Sequence, residues 1–177
     1  SQAPVDIELT WTATDGTLWA AAYTGTLSAS MPLDSGPVTG NPDAVSTSNG
    51  TVGVVWRDSA GNLWTELGAS TMWFGAHEVG QGGLASDPTV VASGAGTMDA
   101  VWRTQTGSVW AAGVTQNGGP NQVEVDSSVS MGRPAAAGSA PRPLAVVVQR
   151  QDGSRAPPLH PPATGRTSTT GGDTVGR

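Results

Sequence analysis

The sequence predicts an all-β fold, a β-propeller-like array of four-stranded antiparallel blades, incomplete and followed by an irregular C-terminal tail. Three observations carry that expectation. Turn glycines Gly16, Gly61, Gly107 and Gly153 recur at intervals of 45, 46 and 46 residues, and a repeat of roughly 40–50 residues marks propellers and similar arrays. Tryptophans bracket the first three turns, with Trp11, Trp56 and Trp102 before them and Trp19, Trp64 and Trp110 after. The composition lacks Lys, has four Glu and 25 Gly, and is only 12% charged. Thr, Val, Ser and Trp prevail instead, residues that suit pleated, half-buried strands. One such unit cannot bury its own apolar faces and needs neighbours.

The repeats run over about 1–40, 41–85, 86–131 and 132–154. In the first, Trp11 comes too early for a strand before it, so an opening strand is expected to be missing. The second repeat predicts strands at Asp43–Ser48, Val52–Asp58, Asn62–Leu67 and Ala76–Val79. Asn49-Gly50 supplies a tight turn needing positive φ, Ser59-Ala60-Gly61 the next, and Gly80–Gly83 the connection onward. Val54-Val55-Trp56 shows no polar alternation, as expected for a sheet covered on both faces. The third repeat predicts Asp87–Ser93, Met98–Arg103, Ser108–Ala112 and Gln122–Val125 in the same phase.

The fourth repeat opens with Arg133-Pro134, continues through a strand at Leu144–Val148 and turns at Gln151-Asp152-Gly153. Its third strand should lie near Arg155–Leu159. Pro157, Pro158, Pro161 and Pro162 remove ladder donors there. Residues 155–177 therefore read as a disordered tail or as sequence out of frame in a GC-rich gene.

Charge is split. Residues 1–132 hold two Arg against twelve acids, and residues 133–177 six Arg against two. The acidic array disfavours nucleic acid and anionic lipid, which need clustered cations. No apolar run is long enough to span a membrane as a helix. His77 and His160 stand too isolated to form a metal set, and no cofactor is expected. Ser1-Gln2-Ala3-Pro4 lacks a start Met and reads as a processed secretory end or a cut.

Ser86-Asp87-Pro88-Thr89-Val90-Val91-Ala92, Gly96-Thr97-Met98-Asp99-Ala100-Val101-Trp102-Arg103 and Thr106-Gly107-Ser108-Val109-Trp110 together resemble a repeat of the PLL-type bacterial β-propeller lectins. Val54-Val55-Trp56-Arg57 with Ala60-Gly61-Asn62-Leu63-Trp64 repeats the pattern. Fungal-type fucose lectins share that architecture. The resemblance covers residues 5 to about 154, or three and a half blades. It implies secretion, glycan partners (fucosylated or methylated sugars) and sugar pockets between neighbouring blades.

A pyranose offers C–H groups that pack on an indole and hydroxyls that need fixed donors and acceptors. The candidate ligand-binding residues are accordingly Trp64, Trp73, Trp110, Arg57, Arg103 and Glu66. Arg57 and Arg103 directly follow Trp56 and Trp102, and Glu66 shares a strand face with Trp64. The second repeat alone adds Trp73, Phe74 and His77, so the best pocket is expected beside it. Fucose-type sites join Arg, Glu and Trp. Here Ala21 and Ala112 replace the Glu, Thr12 and Gln149 the Arg.

The repeat-register tryptophans read as core before they read as ligand platforms, and Arg57, Arg103 and Glu66 as structural braces before they read as sugar contacts. Catalysis is not expected. Thr14-Asp15-Gly16-Thr17-Leu18-Trp19 only superficially resembles a sialidase Asp-box, and no nucleophile elbow or spaced carboxylate pair occurs. The alternatives to a lectin are a protein-interaction scaffold and an accessory domain of a larger secreted hydrolase. The bare faces of an open arc would be covered by more chain or by further copies completing a ring.

Overall fold

The computed structural model describes residues 7–23, 25–33, 36–47, 50–69, 72–80, 83–138 and 144–151. Among them are fourteen strands and no helix. The first sheet joins β1 (Ile7–Thr12), β2 (Leu18–Tyr23) and β3 (Met31–Pro32). The second comprises β4 (Val38–Ser46), β5 (Thr51–Asp58), β6 (Leu63–Ala69), β7 (Met72–Trp73) and β8 (His77–Gly80). The third runs in order through β9 (Thr89–Gly94), β10 (Thr97–Arg103), β11 (Val109–Thr115) and β12 (Gly118–Asp126). The fourth pairs β13 (Ser130–Ala137) with β14 (Ala145–Arg150). All pairings are antiparallel between chain neighbours, apart from β8, which joins β6 beyond the β7 hairpin.

The sequence rulers become structural ones. Trp11 lies opposite Trp19, Trp56 opposite Trp64 and Trp102 opposite Trp110, so each of three hairpins closes on an indole pair. Gly16, Gly61 and Gly107 hold φ of +85°, +85° and +92°, a region costly for residues with a Cβ. Their carbonyls accept the N–H of Val38, Leu84 and Ser130 at 2.8, 3.0 and 3.0 Å, where the chain enters the next sheet. The same turn thus closes a hairpin and docks its successor, three times over.

Three apolar seams hold the sheets together. Leu18, Ala20 and Leu33 of the first repeat meet Val52, Val54 and Trp56. Val55, Leu63 and Leu67 meet Met98, Ala100, Trp102, Ala112 and Val114. Val101, Val109 and Ala111 meet Leu144, Val146 and Val148. Val54 and Val55 therefore face different neighbours, which is why the strand reads as a continuous apolar run.

The opening strands β4, β9 and β13 add a polar ladder at the repeat spacing. Arg133 Nη2 meets Asp43 Oδ2 at 2.7 Å, and the same oxygen accepts the Val90 N–H at 3.1 Å. Asn41 Nδ2 donates to Asp87 at 2.9 Å, and Arg133 Nε to Thr89 Oγ1 at 2.8 Å.

The structure departs from the sequence expectations in places. β7 was not expected as a strand, and β12 begins four residues before the predicted Gln122. β7 pairs with the end of β6, Trp73 opposite Gly68 and Met72 opposite Ala69, and the Gly118 turn, at φ +91°, lets β12 fold back early on β11. Gly80 ends β8 instead of opening a connection. The turn at Gly153 and the tail at 155–177 lie outside the described residues.

Candidate functional site

Alternation along β5 and β6 decides which side chains can meet. On β5, Val54 and Trp56 turn to the first sheet, while Val55 turns to the third; Arg57, two residues after Val55, shares that side. On β6, Leu63 and Leu67 turn to the third sheet and Trp64 to the first, so Glu66 also faces the first. The six candidate residues thus divide among three seams. Trp64, Glu66 and Trp73 face the first, Arg57 and Trp110 the second, and Arg103 the third. No seam assembles Arg, Glu and Trp from these six candidates; in the second, Glu124 lies opposite Trp110 on the same sheet face.

Trp64 is anchored by Asp58, whose Oδ2 accepts its indole N–H at 2.9 Å. Asn62 gives the same carboxylate its backbone and side-chain N–H at 2.8 and 2.9 Å. Burial pushes the Asp58 carboxyl up, but these donors outweigh it and hold it below the ordinary value of 3.8. Trp110 is half-buried against the second seam, its indole N–H on Ser108 Oγ at 3.3 Å.

The arginines are braces. Arg57 donates from Nη1 to the Leu84 carbonyl at 3.1 Å and lies 3.8 Å from Asp87. Arg103 donates to the carbonyls of Ala85 and Gly132, both at 3.0 Å, tying the third sheet to the fourth. Each lies across the seam leading onward from its own sheet.

Glu66 is 3% exposed. Its Oε1 accepts the Gly75 N–H at 3.1 Å, and Phe74 N–H bonds the Leu67 carbonyl at 2.9 Å. These bonds pin the β7 hairpin against β6. The Trp73 indole then lies directly over Gly68, where a Cβ would come within 2.6 Å of Trp73 Cδ2. Gly68 is required by that close approach.

A shallow hollow with room for about one water opens beside this indole, in the first seam. Glu8, Ala20, Ala21, Ala22, Ser28, Ala29 and Met31 line it from the first sheet, and Trp73 from the second. The buried Trp73 Nε1 has no hydrogen-bond partner among the described residues. Burial raises the Glu8 carboxyl above 4.5. Sequence reasoning missed Glu8. Its one signal is its place on β1 opposite Ala22, an acid on a face otherwise turned to core. In this seam Thr12 stands where the next has Arg57, and His77 is outside the lining. Among the described residues no group of three or more potential ligands could hold a metal ion.

No protein-family model matches the sequence, and no curated protein matches it. Solved structures do share the fold. The BP39L lectin from Burkholderia pseudomallei superposes with a TM-score of 0.61 at 15% identity, over 90% of this chain and 54% of that one. A fucose-specific lectin from Aleuria aurantia gives 0.61 at 15%, over 87% and 52%. A variant of the Aleuria lectin bound to α-methyl-L-fucoside gives 0.58 at 13%, over 85% and 51%. The Aleuria lectin is described as a six-bladed β-propeller. The architecture is therefore an all-β propeller array like that of these lectins. The chain spans about half their length.

Proposed function

We propose that this chain is a carbohydrate-binding propeller of lectin type, non-catalytic, acting outside the cell, with its best sugar seat in the first seam. One observation carries the reading: the first seam sets the Trp73 side chain and the apolar groups of Ala20, Ala22 and Met31 beside the Glu8 carboxylate, in a fold shared with propeller lectins. Alanine and methionine groups and the Trp73 ring suit the C–H patches of a pyranose, while Glu8 offers an acceptor to its hydroxyls. The likeness to propeller lectins supports the class. The second seam, with Arg57 and Trp110, is a further seat on this reading, and Arg103 borders the third.

The candidate residues take different parts. Trp73 touches the sugar, Trp64 lines the seam behind it, and Glu66 positions the hairpin that carries Trp73. Glycan-array binding followed by titration of the Trp73→Ala variant tests the reading. The variant should keep the strand signature in circular dichroism and lose about tenfold or more in affinity, the equivalent of ~1.4 kcal/mol of contact. Absence of binding across a broad array, or undiminished binding by the variant, overturns it.

A further inference from the structure

We infer that the outer face of the first sheet docks head to tail on the outer face of the fourth sheet of a second copy of this chain. The two copies then share a seam built like the seams inside each one.

Equivalent positions in the repeat carry this conclusion. Leu9, Val54, Ala100 and Val146 stand 45, 46 and 46 residues apart, as do Trp11, Trp56, Trp102 and Val148. In the last three sheets these residues face backward, onto the preceding sheet. Val54 and Trp56 pack with Leu18 and Ala20, Ala100 and Trp102 with Val55 and Leu63, and Val146 and Val148 with Val101 and Val109. All six are at most 3% exposed, whereas Leu9 and Trp11 are 44% and 39% exposed.

The opposite face tells the same story in reverse. Val55, Val101 and Val147 follow at intervals of 46 and look onward. Val55 and Val101 are fully buried against the next sheet, and Val147 is 46% exposed. Met131 lies opposite Gln149, hence on the side of Val147, and is exposed too.

Each series thus has one bare member, and the two belong to complementary series. Leu9 and Trp11 lack an onward face, and Val147 and Met131 lack a backward one. A second copy presents both. The same phases already bury one another twice within the chain, Val55 with Ala100 across the second seam and Val101 with Val146 across the third. Backward faces meet each other in neither seam, so the polarity is fixed and like faces do not pair. Contacts of this kind close into a ring or run on as a filament, according to the angle at each step. The chain spans about half of the six-bladed Aleuria chain, so two copies fit one ring with two such seams.

The sequence contains no cysteine, which allows one thiol to be placed on each face. Leu9→Cys mixed with Val147→Cys should be joined by a short bismaleimide, and neither variant should be joined to itself. Self-linkage of Leu9→Cys as readily as linkage to Val147→Cys means that like faces meet, and overturns the inference. Sedimentation equilibrium supplies the affinities. Trp11→Glu and Val147→Glu should each weaken association about tenfold or more. Met72→Glu, a control on the exposed β7, should leave it unchanged. An equal mixture of Trp11→Glu and Val147→Glu should associate more tightly than either alone, because each keeps the face that the other has lost. Both substitutions fall on exposed side chains, and circular dichroism checks that the strands persist. A parent chain that stays monomeric, an equal loss in Met72→Glu, or no recovery on mixing overturns the inference.

Discussion

Side chains that look interchangeable in the sequence have separate duties. Trp56 is fully buried between the first two sheets, and its loss should cost about 3–5 kcal/mol, the usual range for removing a buried indole. Chemical denaturation of Trp56→Ala measures this. Asp58 is different, since it gathers three donors around the base of Trp64. Its carboxyl lies below 3.8 in the folded chain. Its contribution is therefore fully present above that value and is lost as the pH falls through the lower folded one. Thermal melts from neutral to strongly acidic pH should show Asp58→Asn losing less stability on acidification than the parent. Asp126, held down by Ser128 and Arg150 against the upward push of burial, adds a loss in the same direction.

At the scale of elements, the β7 hairpin sets the second repeat apart. Besides its pairing with β6, two bonds hold it, one from Gly75 N–H to Glu66 and one from Phe74 N–H to Leu67. Glu66→Ala leaves the first donor without its acceptor, and we expect a stability cost of about 1–3 kcal/mol with weakened sugar binding through a displaced Trp73. Glu66→Gln keeps an acceptor and should restore most of the binding. Gly68→Ala is sharper. A methyl there overlaps the indole, so Trp73 fluorescence should shift while the rest of the sheet stays folded. An unshifted spectrum would contradict the stacking described for this hairpin.

For the whole molecule, the outer faces of the first and fourth sheets bear on behaviour in solution. Leu9, Trp11 and Tyr23 stand exposed on the outer face of the first sheet, and Met131 and Val147 on that of the fourth. Bare apolar faces and sheet edges favour association. We propose that copies of this chain associate through these faces, in the direction of ring completion. Sedimentation velocity across a concentration range should show an oligomer that Trp11→Glu weakens. A monomer at all concentrations would refute the association.

The repeat period, the all-β class, the hairpin indole pairs and the positive-φ turn glycines were all legible in the sequence, because each is a local requirement of a strand or a turn. Strand ends were legible to within a few residues. The grouping of site residues was not. A blade covered on both faces carries apolar residues on both, so its alternation holds no mark of which neighbour each face meets. Only the packed sheets assign Arg57 to one seam and Glu66 to another. They also bring Glu8, distant in the chain, to the indole of Trp73, since a seam is built from two sheets and no single stretch of sequence contains both.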